Sequence, residues 1–143
     1  MKTVATNGCF DILHVGHVQY LNEAKSLGDK LIVGLNSDRS VKELKGESRP
    51  YNKEQNRAAV LSALRCVDEV VIFDDISCEK FLMKAKPDIY VKGGDYSLDD
   101  IPDCEKRTIS ELQQLGYCKE VKILKKYKSL STTDIIRKLE DLG

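Results

Sequence analysis

A chain of 143 residues with 41% hydrophobic side chains can bury one compact core but is too short for a second independent domain, so residues 1–143 are expected to form a single domain. Lys and Arg number 23 and Asp and Glu number 23, and this zero formal net charge excludes the global basic field that holds nucleic acid or anionic membranes without specificity. No run approaches the roughly 20 apolar residues of a membrane-spanning helix, and the first strand follows a single Lys with no apolar leader, so the expected location is the cytoplasm.

Taken in chain order, β-rich apolar runs at Thr3–Thr6, Leu31–Leu35, Val70–Phe73, Ile89–Val91 and Val121–Leu124 alternate with stretches of helical period. That alternation predicts an α/β fold: a Rossmann-like, doubly wound parallel five-stranded sheet with helices on both faces. Between the first two strands, His17–Leu27 repeats Val18, Leu21, Ala24 and Leu27 on one stripe, with Gly28 as its C-cap. Asn52–Leu64 carries Ala58, Val60, Leu61 and Leu64, and Asn52 with Gln55 three positions on reads as its capped start. Gly, Ser, Pro and charged residues make Lys45–Pro50 and Ser97–Asp103 surface loops. Thr132–Leu142 places Ile135, Ile136, Leu139 and Leu142 in helical register behind Ser131 as N-cap, so the chain is expected to close with a helix.

The five cysteines, Cys9, Cys66, Cys78, Cys104 and Cys118, are odd in number and lack any C-x-x-C pair, the pattern of reduced thiols. Cys9 lies near both histidines, but a zinc site needs three or four converging ligands, which this pattern does not supply.

The two histidines of the chain, His14 and His17, both lie in Asn7-Gly8-Cys9-Phe10-Asp11-Ile12-Leu13-His14-Val15-Gly16-His17, directly after the first strand. Spaced i and i+3 across a helix entrance, their rings face one way, toward the carboxyl edge of the sheet where ligands of open α/β folds bind. Gly16 between them lets a phosphate approach the backbone, and the helix N-terminus adds amide donors and a favourable dipole for an anion. Lys92-Gly93-Gly94-Asp95 follows the fourth strand and offers a cation, flexible backbone and a carboxylate at the same edge. Ser131-Thr132-Thr133 opens the last helix with three hydroxyls suited to phosphate. Asp11 and Asp38 sit at the ends of the first two strands, where they are suited to orienting acceptor hydroxyls or a metal.

The GCFDILHVGH segment resembles the HxGH element of the cytidylyltransferase-like nucleotidyltransferases. With Asn36-Ser37-Asp38, Leu44-Lys45-Gly46, Ser48-Arg49-Pro50, Val67-Asp68-Glu69-Val70-Val71, Pro87-Asp88 and Val91-Lys92-Gly93-Gly94-Asp95-Tyr96, the chain is similar to the adenylyltransferases that activate D-glycero-β-D-manno-heptose 1-phosphate. In that family the domain is often fused to a heptose kinase, and the length of this chain matches the stand-alone form.

The resemblance implies transfer of AMP from ATP to the sugar phosphate, with His14, His17 and Lys45 as the catalytic residues. It implies that Gly8, Cys9, Phe10, Asp11, Gly16, Lys92, Gly93, Gly94, Asp95, Ser131, Thr132 and Thr133 line the nucleotide site, that Asp38, Arg49 and Arg57 meet substrate, and that Mg²⁺ rides on the NTP phosphates. It also implies a homodimer. The chain departs from those relatives at Asp74-Asp75-Ile76-Ser77-Cys78, where they carry a Thr-Pro pair, and at Ser129, where they carry Gly. A CTP-dependent transferase acting on glycerol 3-phosphate shares the HxGH and STT elements, and a non-catalytic nucleotide-binding module is the alternative of another class.

Overall fold

The computed structural model describes residues 1–93, 97–125 and 132–142. Its elements are β1 (Thr3–Gly8), α1 (Val15–Ser26), β2 (Lys30–Asn36), α2 (Asp38–Lys45), α3 (Glu54–Ser62), β3 (Glu69–Phe73), α4 (Glu79–Ala85), β4 (Ile89–Gly93), α5 (Asp103–Gln114), β5 (Glu120–Leu124) and α6 (Thr132–Asp141), with a 3₁₀ turn at Leu98–Asp100. All neighbouring strands run parallel, in the order β3-β2-β1-β4-β5. The doubly wound α/β expectation therefore holds.

Strand periodicity divides the apolar residues between two layers. Val4, Leu31, Val33, Leu35, Ile89 and Val91 pack with Leu21 and Ala24 of α1 and Leu61 of α3. Ala5, Ile32 and Tyr90 face the other way, against Phe81 and Leu82 of α4 and Ile109 and Leu112 of α5.

The chain reverses its winding direction at β1, which has β2 on one side and β4 on the other. β1 pairs with β2 over six registered positions, Thr3↔Lys30 to Gly8↔Leu35, but with β4 over two, Val4↔Ile89 and Ala5↔Tyr90. Beyond Ala5 and Tyr90 no further β1–β4 positions pair, at the carboxyl edge that is the ligand-binding place of such sheets. The Tyr20 hydroxyl of α1 joins the two strands there, sharing a 2.5 Å hydrogen bond with Thr6 Oγ1 and donating to the Val91 carbonyl at 3.4 Å.

Several local expectations change. The first helix begins at Val15, with His14 as its N-cap, and Leu27 is its C-cap. Gly28 follows that cap because of space: a Cβ there would lie 2.7 Å from Val4 Cγ2 and 2.9 Å from the Lys2 carbonyl. Helix α3 is capped by Lys53, whose ammonium has no acceptor to offer the helix amides, and the Asn52 backbone N–H donates to Asp11. Its buried stripe runs through Arg57 and Leu61, and Val60 turns outward. Lys45 closes α2 instead of opening a loop, and Ser97–Asp103 contains the 3₁₀ turn and the first residue of α5. The proposed cap Ser131 and the residues Gly94 and Asp95 lie outside the described residues.

Candidate active site

At the end of β1 the backbone enters a strained turn. Phe10 and Ile12 both adopt positive φ, 46° and 55°, a region that non-glycine residues rarely occupy and that a β-branched residue resists most. Neighbouring contacts hold the turn in place. The Phe10 ring is buried, and Gly8 leaves it room, since a Cβ on Gly8 would come within 2.9 Å of the ring. The Asp11 carboxylate, also buried, accepts from the backbone N–H of Tyr51 at 2.7 Å and of Asn52 at 3.0 Å, and from Arg49 Nε at 3.3 Å. Asp11 thus ties the β1 turn to the segment that enters α3.

The two histidines form a reciprocal cap. The Gly16 N–H donates to His14 Nδ1 at 3.1 Å, and the His14 N–H donates to His17 Nδ1 at 3.3 Å. Their ring centroids lie 3.9 Å apart, and the Phe10 ring meets His17 edge-on at 5.5 Å. Because each Nδ1 accepts a backbone proton, the neutral rings carry their own proton on Nε2. The cap therefore sets the tautomer as well as the direction of both side chains. At the amino end of α1 the helix dipole already favours an anion.

Cations converge on the same turn. Burial pushes the Cys9 thiol above its ordinary value, and the charges of Lys45, Arg57 and Arg49 oppose that rise, which places all three around Cys9. Their roles differ. Lys45 is exposed at the end of α2. Arg49 is held against Asp11, with its guanidinium carbon 5.4 Å from the centre of the Tyr51 ring.

Arg57 is buried within the fold. Its Nη1 donates to the carbonyls of Cys9 and Asn36, both at 2.8 Å, its Nε to the Asn52 carbonyl at 2.8 Å, and its Nη2 to Asp38 Oδ1 at 2.8 Å. One side chain thereby joins the ends of β1 and β2 to α3. Asp38 Oδ1 also accepts from the Glu54 N–H at 2.8 Å, and Glu54 returns a carboxylate oxygen to the Asp38 N–H at 3.0 Å. These contacts fix α2, and with it Lys45, against α3.

On the α5 side of the sheet, Lys92 near the end of β4 reaches Glu105 of α5, with Nζ 2.6 Å from Oε2. Gly93 abuts the Tyr20 ring so closely that a Cβ would lie 2.9 Å from it. Tyr20, and Tyr90, whose hydroxyl donates to Asn7 Oδ1 at 2.9 Å, bridge β1 and β4 with no sequence motif to mark them. Tyr20 does lie three residues after His17 on the same helix, the one sequence hint available.

Residues 5–138 match the cytidylyltransferase-like family. The chain belongs to that family. As a cytidylyltransferase-like chain it is a nucleotidyltransferase domain, and the HxGH element at His14–His17 lies where the sheet reverses. The bifunctional protein HldE of Campylobacter concisus is 49% identical over 140 residues, 98% of this chain and 27% of that protein. The bifunctional protein HldE of Wolinella succinogenes is 47% identical over 139 residues, 97% of this chain and 27% of that protein. The chain spans about a quarter of the length of these curated relatives. A lipopolysaccharide core biosynthesis protein from Thermoplasma volcanium shares the fold with a TM-score of 0.73 and 32% identity, covering 90% of this chain and 99% of that one.

Proposed function

We propose that residues 1–143 form one catalytic domain that transfers AMP from ATP to D-glycero-β-D-manno-heptose 1-phosphate, releasing pyrophosphate and ADP-heptose. The observation that supports the reading is the reciprocal His14–His17 cap at the end of β1, where the sheet reverses; in this reading the two Nε2–H groups meet the phosphates. The heptose acceptor is supported by similarity to HldE over nearly the whole chain, and by similarity to a protein of lipopolysaccharide core biosynthesis.

The acceptor's phosphate oxygen is already anionic, so the attack needs no strong base. It forms a new P–O bond at the α-phosphorus while the bond to pyrophosphate breaks. The protein's task is to bring two anions together and to neutralise charge growing on the phosphoryl oxygens. In this reading His14 and His17 donate through Nε2 to phosphate oxygens, and Lys45 swings from the end of α2 to the α-phosphate or the acceptor phosphate. Arg49 adds charge from beside Asp11. Arg57 and Asp38 act at one remove, by fixing the β1 turn and α2. Gly16 and Gly93 keep the backbone low around the nucleotide, and Thr132 and Thr133, which open α6, complete the phosphate site with Ser131, Gly94 and Asp95.

Among the described residues no group of three His, Cys, Asp or Glu side chains forms a metal centre. The Asp11 and Asp38 carboxylates accept from the protein's own donors. Mg²⁺ accordingly fits as a companion of ATP, held by its phosphate oxygens, where it supplies charge neutralisation. No helix among the described residues is long and apolar enough to cross a membrane, and we place the protein in the cytoplasm as a homodimer. Sedimentation analysis tests the dimer.

The deciding experiment is pyrophosphate release with Mg²⁺, comparing ATP plus D-glycero-β-D-manno-heptose 1-phosphate with CTP plus glycerol 3-phosphate. Release with the first pair alone is expected. Release with the second pair alone keeps the chemistry and overturns the substrate.

A further inference from the structure

Tyr20 stands where the histidine helix meets the end of the β1–β4 pairing. It lies on α1 three residues after His17, and so on the same side of that helix. Its ring packs on the core layer that holds Leu21, Val91 and Phe10, the residue whose ring meets His17. Tyr20 is thus on the histidine side of the sheet.

The strand register shows what its hydroxyl does. β1 and β4 pair at Val4↔Ile89 and Ala5↔Tyr90, and the next position along would set Thr6 beside Val91. The strands do not pair there, and the Tyr20 hydroxyl meets both residues instead, at 2.5 Å from Thr6 Oγ1 and 3.4 Å from the Val91 carbonyl oxygen. A phenol has one proton to give; with that proton on Val91, the Thr6 hydroxyl donates the shorter bond. Thr6 and Val91 are both fully buried, so the hydroxyl serves polar groups that water does not reach.

A third contact seats the end of β4. A Cβ on Gly93 would lie 2.9 Å from the Tyr20 ring, so the β4 backbone rests directly on that ring. Tyr90 also bridges the two strands, through Asn7, but it belongs to β4 and packs in the opposite layer. Of the two tyrosines, Tyr20 is the one carried by the helix of the histidines. An apolar side chain would fill the same layer; what the hydroxyl adds is a fixed separation among α1, β1 and β4.

We propose that Tyr20 is a positioning residue for nucleotide binding: it holds the end of β4 in register with β1 and with the histidine helix, so that an NTP reaching from His14 and His17 to Gly93 meets a site already assembled. Ordering that the protein has done beforehand is not charged to the ligand, and affinity gains accordingly. The inference rests on the nucleotidyltransferase reading but not on the identity of the acceptor.

The test is calorimetric titration of the full chain with Mg·ATP, without acceptor and well below the unfolding temperature, alongside thermal unfolding. Tyr20→Phe keeps the ring against Gly93 and loses the hydroxyl; it is expected to weaken ATP binding about threefold to tenfold. Thr6→Val breaks the same bridge from the other side and should weaken binding similarly, and the double variant should bind no more weakly than either single one. Ile109→Val, a methylene lost from the opposite core layer, should lower the unfolding temperature and leave ATP affinity unchanged. Wild-type affinity in Tyr20→Phe would overturn the inference, as would equal weakening in Ile109→Val, since affinity would then follow stability and not the bridge. Should Tyr20→Phe fail to fold, Thr6→Val decides by the same criterion. Wild-type protein that binds no Mg·ATP would overturn the nucleotide reading together with this one.

Discussion

The Arg57 guanidinium donates to Asp38 Oδ1 at 2.8 Å with its own side chain 1% exposed, so a full positive charge sits inside the fold and is balanced by one carboxylate and three backbone carbonyls. Removing the guanidinium leaves those three carbonyls without their donor and Asp38, whose side chain is 31% exposed, without its cation. Arg57→Met is expected to lower unfolding stability by about 3–5 kcal/mol. Arg57→Lys should also destabilise, since one ammonium cannot reach the carbonyls of Cys9, Asn36 and Asn52 that the planar fork spans. Urea titration of both variants decides the matter, and an unchanged midpoint for Arg57→Lys would refute the hub.

The histidine cap allows capping and catalysis to be separated. Asn is among the best N-cap residues and offers an oxygen where His14 offers Nδ1, but it has nothing in place of Nε2. His14→Asn should therefore unfold within about 0.5 kcal/mol of the wild type while losing about 10²–10³-fold in turnover. His14→Ala should lose turnover similarly and stability as well, by about 0.5–2 kcal/mol. Wild-type turnover in His14→Asn would remove this histidine from the chemistry.

Acid should weaken the fold through Asp68 and Asp74. A hydrogen bond from Lys25, then one from the Leu31 N–H, holds Asp68 below its ordinary 3.8, and bonds from Ser37 and Arg39 do the same for Asp74. Carboxylates depressed in the folded state contribute stability that is complete above the unfolded value and lost as pH falls through the folded one. The urea midpoint should hold steady near neutrality, begin to drop as pH approaches 3.8, and continue dropping below it. Asp68→Asn should flatten that slope. An equal slope in wild type and variant would show that Asp68 contributes nothing to it.

Thiol chemistry reports on the site from another direction. Burial pushes Cys78 up to about 12 and Cys118 to about 11, so both stay protonated and inert in the native protein at neutral pH. Cys9 and Cys104 are partly exposed. Alkylation read by mass spectrometry should mark these two first, and Mg·ATP should slow labelling of Cys9 while leaving Cys104 unchanged. Equal slowing of both, or of neither, would place the nucleotide elsewhere.

β1, β2 and β4 could be read from the chain because Leu31–Leu35 and its counterparts are apolar runs that become interior strands, and buried parallel strands carry that pattern, while the edge strands β3 and β5 show it through their β-branched residues alone. Helices α2, α4 and α5 carry no such signal. The buried residues of α2 are Ser40 and Val41, those of α4 are Phe81 and Leu82 on a seven-residue helix, and those of α5 include Glu105 and Thr108. Around the site, the HxGH turn was legible because its residues are contiguous. The work of Arg57 was not, because its partners at Cys9, Asn36 and Asn52 come together only once β1, β2 and α3 are assembled. Lys92 reads in sequence as a free phosphate ligand for the same reason: its counter-charge, Glu105, is thirteen residues away on another element.

The short β1–β4 pairing has a mechanical consequence. With two registered positions on one side of β1 and six on the other, the sheet behaves as two stiff plates, β3-β2-β1 and β4-β5, joined along a perforated line. The Tyr20 hydroxyl, bound to Thr6 and the Val91 carbonyl, and the Tyr90 hydroxyl, bound to Asn7, cross that line, as does the core that α1 shares with β1, β2 and β4. A molecule gripping both plates at the open end of that line stiffens the whole sheet without adding a strand, and at a concentration one hundred times its dissociation constant it raises the unfolding free energy by about 2.7 kcal/mol.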